Sequence, residues 1–167
     1  MRILGIDPGS NATGYGVVSI EGSSLRRLGG GTIRVRGDSL GVRLAQLQRE
    51  LARLIGELAP EVAALESVFS AKSARSALVL GHARGVALAA CATAGLSTGE
   101  YSPSQVKLAV TGFGRAEKTQ VARMVQRLLG LTAPPPADEA DALAVALCHG
   151  LSRRSVGRVP TRPSDLS

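Results

Sequence analysis

Two acidic residues stand where predicted strands end, a position that often carries chemistry in α/β proteins. Asp7 ends an apolar strand at Arg2–Asp7 and precedes a sharp Pro-Gly-Ser turn at residues 8–10. Glu66 ends a second apolar strand at Val62–Glu66. Because ligands of α/β sheets bind beyond the carboxyl ends of strands, both carboxylates are candidates for a site. If the two strands are adjacent and parallel, Asp7 and Glu66 lie side by side.

A second acidic pair opens the last predicted helix, which we expect to run from about residue 136 to about residue 148. Asp138 and Asp141 are three residues apart, so they share one face of that helix. The helix N-terminus favours their ionised forms. Glu139 beside them is typical of the acids common in a first helical turn. Each of these acids also has an ordinary interpretation, as a turn aspartate, a solvated strand end or a helix-start residue.

Four carboxylates meeting at one edge of a sheet would repel each other and would need a counter-charge. Oxygen ligands of this kind suit Mg²⁺ or Mn²⁺, whereas no cluster of thiolates or imidazoles in the sequence indicates zinc. Two such ions about 4 Å apart can activate water and stabilise the leaving oxygen in phosphodiester cleavage. The acids therefore predict a metal-dependent hydrolysis of a phosphodiester.

Composition and charge favour a single basic domain with a polyanionic partner. The chain has 167 residues, of which 44% are hydrophobic and 20% charged, a balance typical of a globular protein. Twenty basic residues against 13 acidic ones give a net charge of +7, which favours nucleic acid as partner. The alternative is a basic protein from a generally basic proteome. No apolar run approaches the length of a membrane span, and the N-terminus does not resemble a signal peptide, so we expect a soluble, cytoplasmic protein.

Hydrophobic periodicity predicts an α/β fold with one mixed five-stranded sheet flanked by helices. Short links between the first three strands favour antiparallel hairpins, and the helical crossover before the fourth strand favours parallel pairing with the first. Besides the two strands above, the predicted strands cover residues 13–20, 24–35 and 96–102. The predicted helices cover residues 39–58, 73–94 and 117–129 as well as the last helix, with a short helix and loop in 103–116.

Several motifs, taken together and in order, resemble the RuvC family of Holliday-junction resolvases, which have a ribonuclease H-like fold. The matching stretches are GIDPGS at 5–10, TGYG at 13–16, LESVF at 65–69, LGHARG at 80–85, QVK at 105–107, AEKTQV at 116–121 and ADEADALA at 137–144. The match covers about residues 1–150. It implies a ribonuclease H-like nuclease domain over that range. Residues 151–167 lie outside the match, and their sequence predicts a basic, disordered tail.

The resemblance implies a homodimeric, Mg²⁺-dependent endonuclease that resolves four-way DNA junctions by paired symmetric nicks in recombination and repair. It implies that the catalytic and metal-binding residues are Asp7, Glu66, Asp138 and Asp141. It also implies cooperation with the RuvA–RuvB branch-migration complex.

Three further residues match family positions near the DNA. Lys107 and Lys118 would each neutralise a backbone phosphate, and Phe69, just beyond Glu66, would stack on an unpaired base. The alternatives are solvated surface lysines and a core phenylalanine. The small-residue face of the helix at 73–94, with His82, is a candidate dimer contact.

Two other functions remain open at this point. One is another ribonuclease H-like nuclease, acting on RNA or on RNA–DNA hybrids. The other is a junction-binding protein without catalysis, which would be indifferent to the loss of Asp7.

Overall fold

One mixed sheet of five strands runs through the residues that the computed structural model describes, which are 1–9, 11–67 and 73–156. In chain order the strands are β1 (Arg2–Asp7), β2 (Ala12–Glu21), β3 (Ser24–Arg34), β4 (Val62–Glu66) and β5 (Ser97–Tyr101). Across the sheet the order is β3-β2-β1-β4-β5. The first three strands pair antiparallel, whereas β4 pairs parallel with both β1 and β5. The predicted mixed sheet and the parallel pairing of its two acid-bearing strands are therefore confirmed.

In the described part of the chain, five helices accompany the sheet: α1 (Leu40–Leu58), α2 (Ala74–Thr93), α3 (Pro103–Thr111), α4 (Lys118–Leu128) and α5 (Ala137–Val156). The first four agree with the predicted segments to within a few residues. The last helix does not end near residue 148 as predicted but continues to Val156. The first six residues of the expected disordered tail are therefore helical, and residues 157–167 lie outside the described residues.

The boundaries of α1 follow from its sequence. The Ser39 side chain caps the helix by accepting a hydrogen bond from the Val42 amide. At the other end, Ala59 takes a left-handed conformation with φ 45°, directly before Pro60. Between the caps, one face of the helix is buried against the sheet.

The alternation of side chains along a strand decides which face of the sheet each acid occupies. Two hydrophobic clusters cover the two faces, one with α3, α4 and α5 and the other with α1 and α2. Ile3, Val62 and Ala64 lie in the cluster with α5, whereas their neighbours Leu4, Ala63 and Leu65 lie in the other. Side chains two residues apart in a strand lie on the same face, so Asp7, four residues after Ile3, and Glu66, two residues after Ala64, lie on the face that α5 covers.

The N-terminal half of α5 lies unusually close to the sheet. A Cβ atom added at Gly14 would come within 2.1 Å of the Asp138 carbonyl oxygen, and one at Gly5 within 2.0 Å of the Ala142 carbonyl oxygen. Neither position can therefore hold a side chain while α5 stays where it is. These two glycines set the distance between the α5 acids and the strand-end acids.

The helix α2 corrects one expectation from the sequence. By length and composition alone it could cross a membrane, with a mean hydropathy of 1.3, although no apolar run was expected to approach that length. In the structure its Ala83, Ala87 and Cys91 pack into the cluster shared with α1 and the sheet. One face of α2 thus belongs to the core of the domain, and much of the opposite face is exposed.

Candidate active site

Three acids from three elements meet at the carboxyl edge of the sheet. Ile6 of β1 is paired with Leu65 of β4, so the next residues, Asp7 and Glu66, are neighbours at the ends of parallel strands. Their side chains share a hydrogen bond. Asp141 reaches the same place from the first turns of α5, close enough for its charge to act on both other acids. The predicted side-by-side placement of the two strand-end acids is confirmed.

The crowding of negative charge perturbs two of these acids. Burial, reinforced by the charges of Glu66 and Asp141, raises the pKa of Asp7 from 3.8 to about 7. Burial and the charge of Asp141 also raise the pKa of Glu66. At neutral pH the Asp7–Glu66 pair therefore holds a proton for part of the time. Such a site gains by binding a cation, which would replace the proton.

Two lysines line the cleft beside the acids. The cleft has a volume of about 210 Å³, and Glu66, Asp141, Lys107 and Lys118 provide its charged lining. Lys118 Nζ donates to Asp141 Oδ2 at 2.6 Å, and the charge of Lys107 acts to lower the pKa of Glu66. The two lysines predicted to contact phosphate thus lie next to the acids predicted to bind metal.

Local sequence fixes where each lysine stands. Ser102 and Gln105 form a reciprocal capping box at the start of α3, and Lys107 lies one turn into that helix. Glu117 and Gln120 form the equivalent box at the start of α4, which makes Lys118 its first residue. Both helices therefore begin at defined residues, and this sets the two lysines at the mouth of the cleft.

Asp138, the fourth predicted acid, is directed somewhat away from the other three. Its Oδ2 accepts a hydrogen bond of 3.2 Å from the Thr32 hydroxyl on β3. As the side chains stand, no group of three or more His, Cys, Asp or Glu in the described part of the chain is arranged to hold a metal ion. The chemistry of the donors nevertheless fits a hard divalent cation, because they are carboxylates whose negative charges crowd one another at one edge of the sheet.

The remaining predicted contact, Phe69, lies outside the described residues. Sequence reasoning also missed one feature of the site, which is the role of Glu139. That residue is buried and paired with Arg27 of β3, rather than being an ordinary exposed acid of the first turn. A signal for this was present, because Glu139 is four residues before the buried Leu143 and so falls on the buried stripe of α5.

Comparison with known proteins gives a consistent result. The family model described as crossover junction endodeoxyribonuclease RuvC matches residues 3–149. A protein of that name from Marinobacter nauticus is 52% identical over 157 residues, covering 94% of this chain and 90% of the relative. Its namesake from Shewanella frigidimarina is 52% identical over 147 residues, covering 88% of this chain and 85% of the relative.

Solved structures of Holliday junction resolvases also match this chain. The structure of Thermus thermophilus RuvC in complex with Holliday junction substrate superposes with a TM-score of 0.88 at 34% identity, covering 93% of this chain and 96% of that one. The yeast mitochondrial Holliday junction resolvase Ydc2, at 14% identity and a TM-score of 0.66, shares the fold. Sheet order, site and relatives thus lead to one conclusion: the chain belongs to the RuvC family of crossover junction endodeoxyribonucleases and has its ribonuclease H-like fold.

Proposed function

We propose that this protein resolves four-way DNA junctions by paired symmetric nicks, hydrolysing phosphodiesters with the help of Mg²⁺. The observation that carries the proposal is the meeting of Asp7, Glu66 and Asp141 at a cleft that Lys107 and Lys118 border. A relative in the same family is known in complex with Holliday junction substrate, which supports junction DNA as the substrate here.

Asp7, Glu66 and Asp141 would hold the divalent cations, with Asp138 joining them from the same turn of α5. Bound cations of this type supply an activated water molecule and stabilise the leaving oxygen. The chain's part is to keep the acids fixed at the strand ends and to release the proton held between Asp7 and Glu66. Mg²⁺ and Mn²⁺ both suit this all-carboxylate set.

The two lysines have a separate task, which is to bind the DNA backbone. Lys118 is paired with Asp141 in the free protein. When a phosphate enters the cleft, we expect Lys118 to exchange Asp141 for a phosphate oxygen, which frees the Asp141 carboxylate for a cation. Lys107, which lines the same cleft, offers a second contact to phosphate.

A homodimer is also part of the proposal. Between α1 and α2 lies an apolar groove of about 750 Å³, lined among others by Leu44, Leu78, His82 and Val86. Leu78 is 64% exposed within this groove, and contiguous exposed apolar surface is typical of a protein contact. A two-fold dimer would present two active sites to a two-fold junction. The RuvA–RuvB complex as a partner and the cytoplasmic location stay predictions.

The experiment is cleavage of a synthetic mobile four-way junction with and without Mg²⁺, with the nicks mapped on all four strands. We expect Mg²⁺-dependent nicks at symmetric positions on two strands of like polarity. Linear duplex and RNA–DNA hybrid serve as competing substrates, and preferential cutting of the hybrid would establish the RNA-directed alternative instead.

Three variants separate catalysis from binding: Asp7→Asn, Glu66→Gln and Asp141→Asn. Each should abolish cleavage and leave junction binding largely intact, because the acids hold the cation while the lysines hold phosphate. Full cleavage by any of the three would remove that residue from the catalytic set. A wild-type protein that binds junctions and cuts none of them would instead be a junction-binding protein.

A further inference from the structure

Between the two α5 acids of the site lies a third acid whose side chain points the other way. Glu139 is only 5% exposed, whereas Asp138 and Asp141 on either side are partly exposed. Its Oε1 accepts a hydrogen bond of 2.5 Å from Nε of Arg27, a residue 112 positions earlier on β3. Arg27 also donates to the Gly30 carbonyl oxygen at 3.3 Å, so its guanidinium is anchored to its own strand.

The Glu139 side chain fits tightly against β3. A Cβ atom added at Gly30 would come within 2.7 Å of Glu139 Oε1 and within 2.8 Å of its Cγ and Cδ atoms. The carboxylate therefore lies flat on the backbone of β3, and only a glycine leaves room for it there. Next to it, Thr32 of the same strand donates to Asp138. The strand thus contacts two successive residues of the first turn of α5.

These contacts fix how the first turn of α5 is rotated about its own axis. Successive residues of an α-helix are separated by about 100° around the axis, so Asp138 and Asp141 lie about 60° apart on one side. Glu139 points away from Asp141 by about 160°. Holding Glu139 down on β3 therefore directs Asp141 towards the ends of β1 and β4, where Asp7 and Glu66 lie.

Stability alone is a weak reason for such a pair. Burying a carboxylate carries a large desolvation cost, and well-packed apolar residues in place of a buried ion pair are often at least as stable. Groups that hold metal-binding side chains in orientation, by contrast, typically change metal affinity or activity by about 10–100-fold when they are lost.

We propose that Arg27 and Glu139 are positioning residues, which hold α5 in the rotation at which Asp138 and Asp141 bind the divalent cation. This inference rests on the proposed function. Neither residue touches DNA or the reacting phosphate in this scheme; both act through the orientation of the helix.

The test uses variants of the full chain and two readouts. One readout is the Mg²⁺ concentration that gives half-maximal junction cleavage. The other needs no DNA and no activity: it is the midpoint of the rise in melting temperature when Mg²⁺ alone, or Mn²⁺ alone, is titrated into the protein. The variants are Arg27→Met, Arg27→Lys and the double variant Arg27→Met with Glu139→Leu, and Arg53→Met is the control, since it breaks an exposed ion pair on α1.

In Arg27→Met, the buried Glu139 carboxylate loses its partner, so the metal-free protein should melt at a lower temperature than wild type. In the double variant that loss of stability should be largely recovered, yet both metal midpoints should stay about 10–100-fold above wild type. Arg27→Lys keeps the charge but lacks the guanidinium geometry, so its midpoints should lie between these. Arg53→Met should leave both midpoints unchanged.

A double variant with wild-type metal midpoints would overturn the inference and reduce the pair to a structural role. Wild-type midpoints in Arg27→Met would do the same if the double variant does not fold. The proposed function fails differently: in that case the wild-type protein itself shows no Mg²⁺-dependent cleavage of the junction.

Discussion

Replacing Asp7 with asparagine should make the metal-free protein more stable at alkaline pH, although it destroys the site. The folded state raises the pKa of Asp7 from 3.8 to about 7, through burial and through the charges of Glu66 and Asp141. When folding raises the pKa of a carboxyl group, the free energy of unfolding falls as the pH rises from the pKa of that group in the unfolded state to its pKa in the folded state. For Asp7 that cost accumulates between about pH 4 and pH 7, and it stays constant above pH 7.

The size of the effect follows from the same shift. At 1.36 kcal/mol per pH unit, a rise from 3.8 to about 7 corresponds to about 4 kcal/mol at pH 8. An asparagine carries no charge there, but its amide has two N–H donors that a carboxyl group lacks and that need partners in a buried site. We therefore expect the free energy of unfolding of Asp7→Asn at pH 8 to exceed that of wild type by about half of this amount, or roughly 2 kcal/mol. For a protein of this size that is a rise in Tm of about 4–8 °C.

The assay is thermal unfolding followed by far-UV circular dichroism in EDTA, from pH 4.5 to pH 8.5. The difference in Tm between Asp7→Asn and wild type should be slightly negative at pH 4.5, where the cost of the buried amide outweighs the small charge relief, then rise to positive values by pH 7 and level off. Asp38→Asn, at an exposed aspartate, is the control and should show no such trend. Adding Mg²⁺ should raise the Tm of wild type more than that of Asp7→Asn. A difference that does not grow with pH would refute the charge crowding on which the site depends.

Three further predictions test the cleft, the close approach of α5 and the dimer. Lys107→Ala should weaken junction binding and lower the slope of log affinity against log salt by about one, which fluorescence anisotropy at several salt concentrations measures; an unchanged slope would remove its phosphate contact. Gly14→Ala should destabilise the fold by about 3 kcal/mol or more in urea unfolding, because the added Cβ would clash with the Asp138 carbonyl oxygen. Gly56→Ala is the control and should not destabilise the fold, because nothing lies within 4 Å of a Cβ at that position. If the protein forms the proposed dimer, Leu78→Glu should convert it to monomer in light scattering, and a dimer that persists would place the interface elsewhere.

The strand-end half of the site could be predicted because it depends on local rules. A crossover helix implies that β1 and β4 run parallel, and the two-residue alternation of strands then sets Asp7 and Glu66 on one face. The α5 half could be predicted only in part. Spacing gives Asp138 and Asp141 a common face, but the rotation of the helix is set by its packing on the sheet and, in our proposal, by a contact between Glu139 and Arg27, 112 residues apart. Nothing in the local sequence of either residue specifies that partner.

The constraints that position the acids come mostly from the backbone. Asp7 and Glu66 are held by strand register, and Asp138 and Asp141 by the seating of α5 on glycines of the sheet. None of these constraints depends on the charge of the acid that it positions. Neutral substitutions in the cluster should therefore leave the fold and the lysine-lined cleft intact, because they remove repulsion and weaken only side-chain pairs such as Lys118–Asp141, not the backbone contacts that seat α5. This is the physical reason to expect that cleavage and junction binding can be separated by a single change of a carboxylate to an amide.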